Sequence, residues 1–222
     1  MKAIIFDFDG TLANTLPICY YSFQSVFQEF DNKELSSEEI KAMFGPSETG
    51  IIRENLINNN KEKAIEKYYE SYLEKHHHFV ESNIEIEDLL IYIKGLGIKL
   101  GIVTGKAKRS LDISLKALQM EELFDVIITG DDVQFPKPHP EGVNKALSIL
   151  NVQKEEAVFI GDSEADILAG VQAGIVTIGV QWLENYKADD FITKPNQIFT
   201  KIMDFKHSLK NLNYSMYSGE LK

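Results

Sequence analysis

The chain has 222 residues, with 34 acidic against 23 basic side chains and a formal net charge of −11, which leaves room for one substantial core or for a core with a smaller insertion. Its 44% apolar and 26% charged residues are ordinary for a globular protein. So acidic a chain gains nothing from a phosphate backbone or an anionic lipid surface, which argues against nucleic acid and membrane as main partners; a small anionic ligand held by local cations, a metal or helix N-termini stays open.

The first apolar run, Ala3–Phe6, reads as a buried strand. Asp7 and Asp9 interrupt it, so it is too short and too acidic for a signal peptide or a membrane span. The single cysteine, Cys19, can form no intrachain disulfide and suits a reducing compartment, so a cytoplasmic location is expected. Residues 13 to about 82 then carry only helical patterning. A first helix is expected to open at Asn14 or Thr15 with Pro17 in its first turn, and carries Ser22-Phe23, Val26-Phe27 and Phe30 at helical spacing. Ser36-Ser37-Glu38-Glu39 reads as the cap of a second helix that stops at Gly45-Pro46, and Lys61–His78 as a third, long one. Four more buried strands follow, at Lys99–Val103, Val126–Ile128, Ala157–Ile160 and Val176–Val180. Helical stretches Ala107–Leu118, Glu141–Leu150 and Ala165–Ala173 separate them. Strand–helix alternation of this kind predicts an α/β fold, a Rossmann-like parallel sheet covered on both faces. The first interval is far longer than a crossover needs. The expected division is therefore a core of residues 1–13 and 83–205, an inserted all-helical cap of 14–82, and a tail of 206–222 that forms a short helix or is partly disordered.

Asp7-Phe8-Asp9-Gly10-Thr11-Leu12 directly follows the first strand. In an open parallel sheet ligands collect at the strands' carboxyl ends, and Gly10 lets the backbone turn away so that both acids reach one mouth. Two carboxylates there can divide the labour, one as nucleophile or metal ligand and the other as general acid and base. At ordinary residue usage Asp-x-Asp-Gly-Thr arises at a rate of order ~10⁻⁵ per starting position, so a chance turn is a poor explanation.

This hexapeptide resembles the first motif of the haloacid dehalogenase (HAD) superfamily in its phosphatase form. Three further segments resemble the remaining motifs in order: Ile102-Val103-Thr104-Gly105-Lys106, Lys137-Pro138-His139-Pro140 and Gly161-Asp162-Ser163-Glu164-Ala165-Asp166. The resemblance spans about residues 3–195, and the inserted helices match the family's helical-cap subclass, most similar to phosphoglycolate phosphatases and their pyrophosphatase and nucleotidase relatives. It implies Mg²⁺ held by a carboxylate oxygen of Asp7, the backbone carbonyl of Asp9 and a carboxylate of Asp162; three such acids together are unfavourable without a cation. Asp166, one helical turn on, would hold metal-bound water or Lys137. By the same resemblance Asp7 attacks phosphorus, Asp9 protonates the leaving alcohol and later deprotonates water, and Thr104, Gly105 and Lys137 hold the phosphoryl oxygens, with Gly10 and Thr11 in the same loop. The implied function is a Mg²⁺-dependent phosphatase for a small anionic phosphorylated substrate, acting as a monomer or weak dimer.

Lys106 is left open between a substrate anchor and a solvated helical turn, while Lys108 and Arg109 read as solvated. Ser47 and Glu48 occupy the place of the family's cap specificity loop, with an ordinary Gly-Pro turn as the alternative. Arg53 reads as a substrate contact or a solvated arginine. His76-His77-His78 reads as the exposed end of the cap, Tyr20 and Tyr21 as core or rim, and Cys19 as a small buried apolar residue. A dehalogenase lacks the second acid, Asp9. A sugar-phosphate mutase of the capped type carries a His and an Arg where this chain has Cys19 and Glu48, so both are disfavoured, as is a non-catalytic module, since no motif acid is missing.

Overall fold

The computed structural model describes residues 1–184 and 190–217, those from 210 onward as backbone only. Its core is a six-stranded sheet: β1 (Ala3–Phe6), β2 (Lys99–Val103), β3 (Val126–Ile128), β4 (Ala157–Gly161), β5 (Val176–Val180) and β6 (Gln197–Phe199). The strand order is β3-β2-β1-β4-β5-β6 and every pairing is parallel. The chain builds outward from β1 through β2 to β3, then returns to the other side of β1 and builds outward again. The order therefore reverses at β1, and the crevice opens at its carboxyl end, between β2 and β4. β1 is buried along its whole length, as a near-continuous Ile-rich run in a doubly covered sheet demands.

Five of the strands lie where the apolar runs predict them. The sixth is a three-residue edge strand, mostly exposed and without an apolar signature; pairing Ile178 with Gln197 makes it a strand.

Five helices lie between β1 and β2: α1 (Leu16–Asp31), α2 (Ser37–Lys41), α3 (Glu48–Asn55), α4 (Lys61–Phe79) and α5 (Ile84–Gly95). Thr15 is the N-cap of α1, with Pro17 in the first turn. The Ser36–Glu39 capping box forms as the sequence predicts, but α2 ends after Lys41, and a separate helix, α3, opens after the Gly45-Pro46 turn with Ser47 as its N-cap. α1 and α4 pack along their length through Phe23 and Tyr68, whose rings lie 4.6 Å apart. Burying a side chain such as Phe23 contributes roughly 1.5–3 kcal/mol over leaving it in water.

The remaining helices are α6 (Lys108–Ala117), α7 (Glu141–Leu150), α8 (Glu164–Ala173) and α9 (Ile202–Tyr217). α9 packs on α5 and buries Phe205 and Leu209. The segment expected as a tail from residue 206 is thus the continuation of a docked helix, and its residues 218–222 lie outside the described residues. No helix among the described residues is long and apolar enough to cross a membrane.

Helix α4 also meets α6. The Tyr72 hydroxyl and His76 Nε2 both lie in hydrogen-bond reach of Ser114 Oγ, at 2.8 and 3.0 Å. His76 is therefore buried in this seam, while His77 and His78 are exposed; helical spacing turns one of three consecutive histidines inward. Burial, then Lys106 and His77, push its pKa down to about 4.

Candidate active site

The ends of β1 and β4, the first turn of α8 and the loop after β3 bring four motif residues into one cluster. The Asp7 N–H continues the β1–β4 ladder by donating to the Ile160 carbonyl (2.8 Å), which sets its side chain beside Asp162. Asp7, Asp162 and Asp166 are each at most 1% exposed, and their carboxylate oxygens lie within 4.8 Å of one another. Lys137 enters between two of them, with Nζ 2.9 Å from Asp7 Oδ1 and 2.5 Å from Asp166 Oδ1, and it also donates to the Val103 carbonyl at 3.2 Å.

Local chemistry orients each acid. Ser163 is the N-cap of α8, and Asp166 is the third residue of its capping box; the Ser163 N–H and hydroxyl both donate to Asp166 Oδ2 (2.9 and 2.5 Å), leaving Oδ1 for Lys137. Thr11 donates its hydroxyl to Asp162 Oδ1 at 3.0 Å. Gly10 has φ +86°, and a Cβ there would stand 2.3 Å from Asp162 Oδ2. Both the turn and the close approach require glycine at that position.

Asp9 points elsewhere. Its Oδ1 accepts from the Thr15 hydroxyl and lies 3.1 Å from Lys106 Nζ. Thr15 thus caps α1 with its backbone and spends its side chain on Asp9. The Lys106 side chain is fully buried, with Glu48 Oε1 and Cys19 Sγ each at 3.4 Å and the centre of the Tyr72 ring at 4.7 Å. Burial alone would pull its pKa down; Asp9, Cys19, Tyr72 and Glu48 overcome that and hold it well above the ordinary lysine value. The solvated alternative for Lys106 is thus overturned, and its ammonium faces Asp9 and Glu48. Burial pushes the Cys19 thiol up to about 12, which removes it as a nucleophile.

A cavity of about 460 Å³ opens above these groups. Asp9, Thr104, Gly105, Lys106 and Lys137 line it from the core, and Phe44, Pro46 and Glu48 from the inserted helices. The Thr104 N–H is tied to the Ile128 carbonyl, and a Cβ on Gly105 would meet nothing within 4 Å, so this stretch of backbone stands open to the cavity. Asp7 does not line the wall; Lys137, its partner, does. Three expected substrate contacts are not on the wall either: Gly10 and Thr11 are packed against Asp162, and Ser47 pairs its hydroxyl with Thr49 (3.1 Å). Glu48 reaches the wall with both carboxylate oxygens engaged. Oε1 accepts from Ser110 (2.5 Å) and faces Lys106, and Oε2 accepts from the Ala107 N–H at the start of α6. Arg53, Lys108 and Arg109 are exposed and pair with Glu62, Asp112 and Glu66, interactions worth at most about 1 kcal/mol each.

Sequence reading missed Thr15 as a partner of Asp9, a contact that its N-cap position six residues on could have suggested. It also missed the pairing of Glu48 with Lys106, for which no local signal exists.

Comparison with known proteins gives the family and the fold. The family profile described as haloacid dehalogenase-like hydrolase matches residues 4–180. A pyrophosphatase, PpaX, from Bacillus cereus (strain G9842) is 33% identical over 216 residues, covering 97% of this chain and 99% of its own. Among solved structures, CbbY from Rhodobacter sphaeroides in complex with phosphate superposes with a TM-score of 0.82 at 23% identity, over 92% of this chain and 96% of that one. A protein described as a predicted phosphoglycolate phosphatase from Haemophilus somnus 129PT gives 0.81 at 24%, over 94% and 98%. At these identities the two structures speak for the fold alone.

Proposed function

The chain belongs to the haloacid dehalogenase-like hydrolases, and on that premise we propose that it is a Mg²⁺-dependent phosphatase using Asp7 as nucleophile. The observation that carries this reading is the buried cluster of Asp7, Asp162 and Asp166 around Lys137. At an effective dielectric of about 20, two unit charges about 4 Å apart interact by roughly 4 kcal/mol, so three carboxylates facing one ammonium are left with unbalanced repulsion. An all-oxygen donor set at such a position fits a hard divalent cation. Asp7, Asp162 and the backbone carbonyl of Asp9 would hold it, with Asp166 beside them, and when bound it would offset phosphoryl charge.

The residues of the chain do the rest. An Asp7 oxygen bonds to phosphorus as the bond to the leaving oxygen breaks, giving an aspartyl phosphate. Asp9, whose side chain lies outside the acid cluster and on the cavity wall, gives its proton to the leaving oxygen and then takes one from the water that hydrolyses the intermediate. The Thr104 hydroxyl, the Gly105 N–H and Lys137 hold the phosphoryl oxygens. The helical cap of residues 14–82, hinged near 12–15 and 80–84, would close the cavity during attack and open for release.

The substrate is a small phosphorylated metabolite, phosphoglycolate being the first candidate. The 33% identity to a pyrophosphatase over nearly the whole chain favours pyrophosphate as the second. A reducing cytoplasm suits the lone buried Cys19, and a monomer or weak dimer is the assembly proposed. The test is hydrolysis of phosphoglycolate, pyrophosphate and p-nitrophenyl phosphate with and without Mg²⁺. EDTA is expected to abolish turnover, Mg²⁺ to restore it and Ca²⁺ to inhibit; full activity in metal-free buffer would contradict the assignment.

A further inference from the structure

We propose that Glu48 is a positioning residue for proton transfer: from the inserted helices it holds Lys106 against the carboxylate of Asp9 and so keeps that carboxylate aimed at the leaving oxygen. This rests on the reading of Asp9 as the general acid and base.

Three observations carry it. Glu48 is committed on both oxygens, to Ser110, Lys106 and the N–H of Ala107 at the N-cap of α6, so its carboxylate is held by the core. Lys106 has a fully buried side chain and is enclosed by Asp9, Glu48, Cys19 and the Tyr72 face, which hold its ammonium beside Asp9. Asp9 is gripped from two sides, by Lys106 and by the Thr15 hydroxyl. Thr15 begins α1 and Glu48 begins α3, so both grips on Asp9 trace to the inserted helices, one directly and one through Lys106. A carboxylate that acts first as acid and then as base must point to the same place twice, and rigid neighbours supply that.

The role has a kinetic signature. In the first step the Asp7–phosphorus bond forms, the phosphorus–leaving-oxygen bond breaks, and the Asp9 proton passes to the leaving oxygen. A p-nitrophenolate leaves without that proton; an alkoxide does not. kcat/KM reports events up to the transfer to Asp7, before the hydrolytic step common to all substrates.

The experiment measures kcat/KM for p-nitrophenyl, phenyl and n-propyl phosphate with the full-length wild type, Glu48→Gln and Asp9→Asn. Glu48→Gln keeps the shape and one acceptor oxygen and loses the charge facing Lys106. It is expected to lower the propyl ester about tenfold or more and the p-nitrophenyl ester less than about threefold, steepening the dependence on leaving-group basicity. Asp9→Asn steepens it further. Ser110→Ala, which loosens Glu48 through one hydroxyl, is the milder second variant and steepens it less. Loss by one common factor across the series would mean a structural role only and would overturn the proposal. So would losses that follow leaving-group shape between esters of matched basicity, which would return Glu48 to substrate recognition. An unchanged slope in Asp9→Asn would remove the premise itself, whatever Glu48→Gln does.

Discussion

Two lysines sit within this site, Lys106 buried and Lys137 partly so, each between two carboxylates, and they differ in what surrounds them. Lys137 joins Asp7 and Asp166, all from the core; Lys106 joins Asp9 from the core and Glu48 from the inserted helices. Around Lys137 a third acid, Asp162, crowds in, and the cluster carries more negative charge than its lysine offsets. Around Lys106 only two acids face one lysine, and protein donors reach both. Glu48 takes an N–H from the start of α6 and a hydroxyl from Ser110, and Asp9 takes a hydroxyl from Thr15. A helix N-terminus also favours an acid placed there. Similar residue types thus yield an acid triad that could hold a metal ion in one place and a lysine clamp in the other.

The sharpest break of this comparison is Asp7→Asn. A neutral amide is a poor nucleophile, and turnover is expected to fall by roughly 10³-fold or more. The Lys106 cluster and the fold should survive, as far-UV circular dichroism would show. Wild-type turnover in a homogeneous sample would end the case for Asp7.

Next come the lysines themselves. Removing one partner of a buried pair leaves charge uncompensated, at about 3–5 kcal/mol. For a chain of this size that is about 6–20 °C in Tm. Lys106→Met is expected to cost this much with or without Mg²⁺. The cost of Lys137→Met should shrink when Mg²⁺ is present, because the cation takes over its task. Equal Mg²⁺ dependence for the two variants, read from thermal melts, would erase the distinction drawn between the clusters.

The smallest effect sits at the seam beyond Lys106. His76 has a folded pKa depressed to about 4, first by burial. Between its ordinary value near 6.5 and that point the unfolded chain binds a proton that the folded chain does not, so stability falls as pH drops through this window. His76→Asn should remove about 1–2 kcal/mol of the loss between pH 7 and pH 5, measured by urea midpoints. The same acid sensitivity in the variant would place its origin elsewhere.

The core was largely legible because buried parallel strands are continuous apolar runs and the site residues follow them directly. Asp7 and Asp9 could be named from that alone, with Thr104, Lys137, Asp162 and the phosphatase chemistry added by family resemblance. What stayed hidden was whatever depends on a neighbour far along the chain. β6 has no apolar run and exists through its pairing with β5. α3 follows a Gly-Pro turn that reads as the end of a helix rather than the approach to the next. Gly10 and Thr11 stand in the motif but serve Asp162 and not the cavity.

By itself, then, the sequence placed Asp7 and Asp162 together at the end of β1, since each follows its own strand and parallel strands align their ends; it expected Asp9 as the third acid there, where the structure brings Asp166. Only the tertiary structure decided the rest: that Asp9 turns from those acids toward Lys106, and that Glu48 crosses to Ser110, 62 positions away in the chain, to close the clamp. Local spacing governs which side chains share a strand end or a helical turn. It carries no information about which turn of an inserted helix will be pressed against which strand, and that contact decides which partner a buried charge meets.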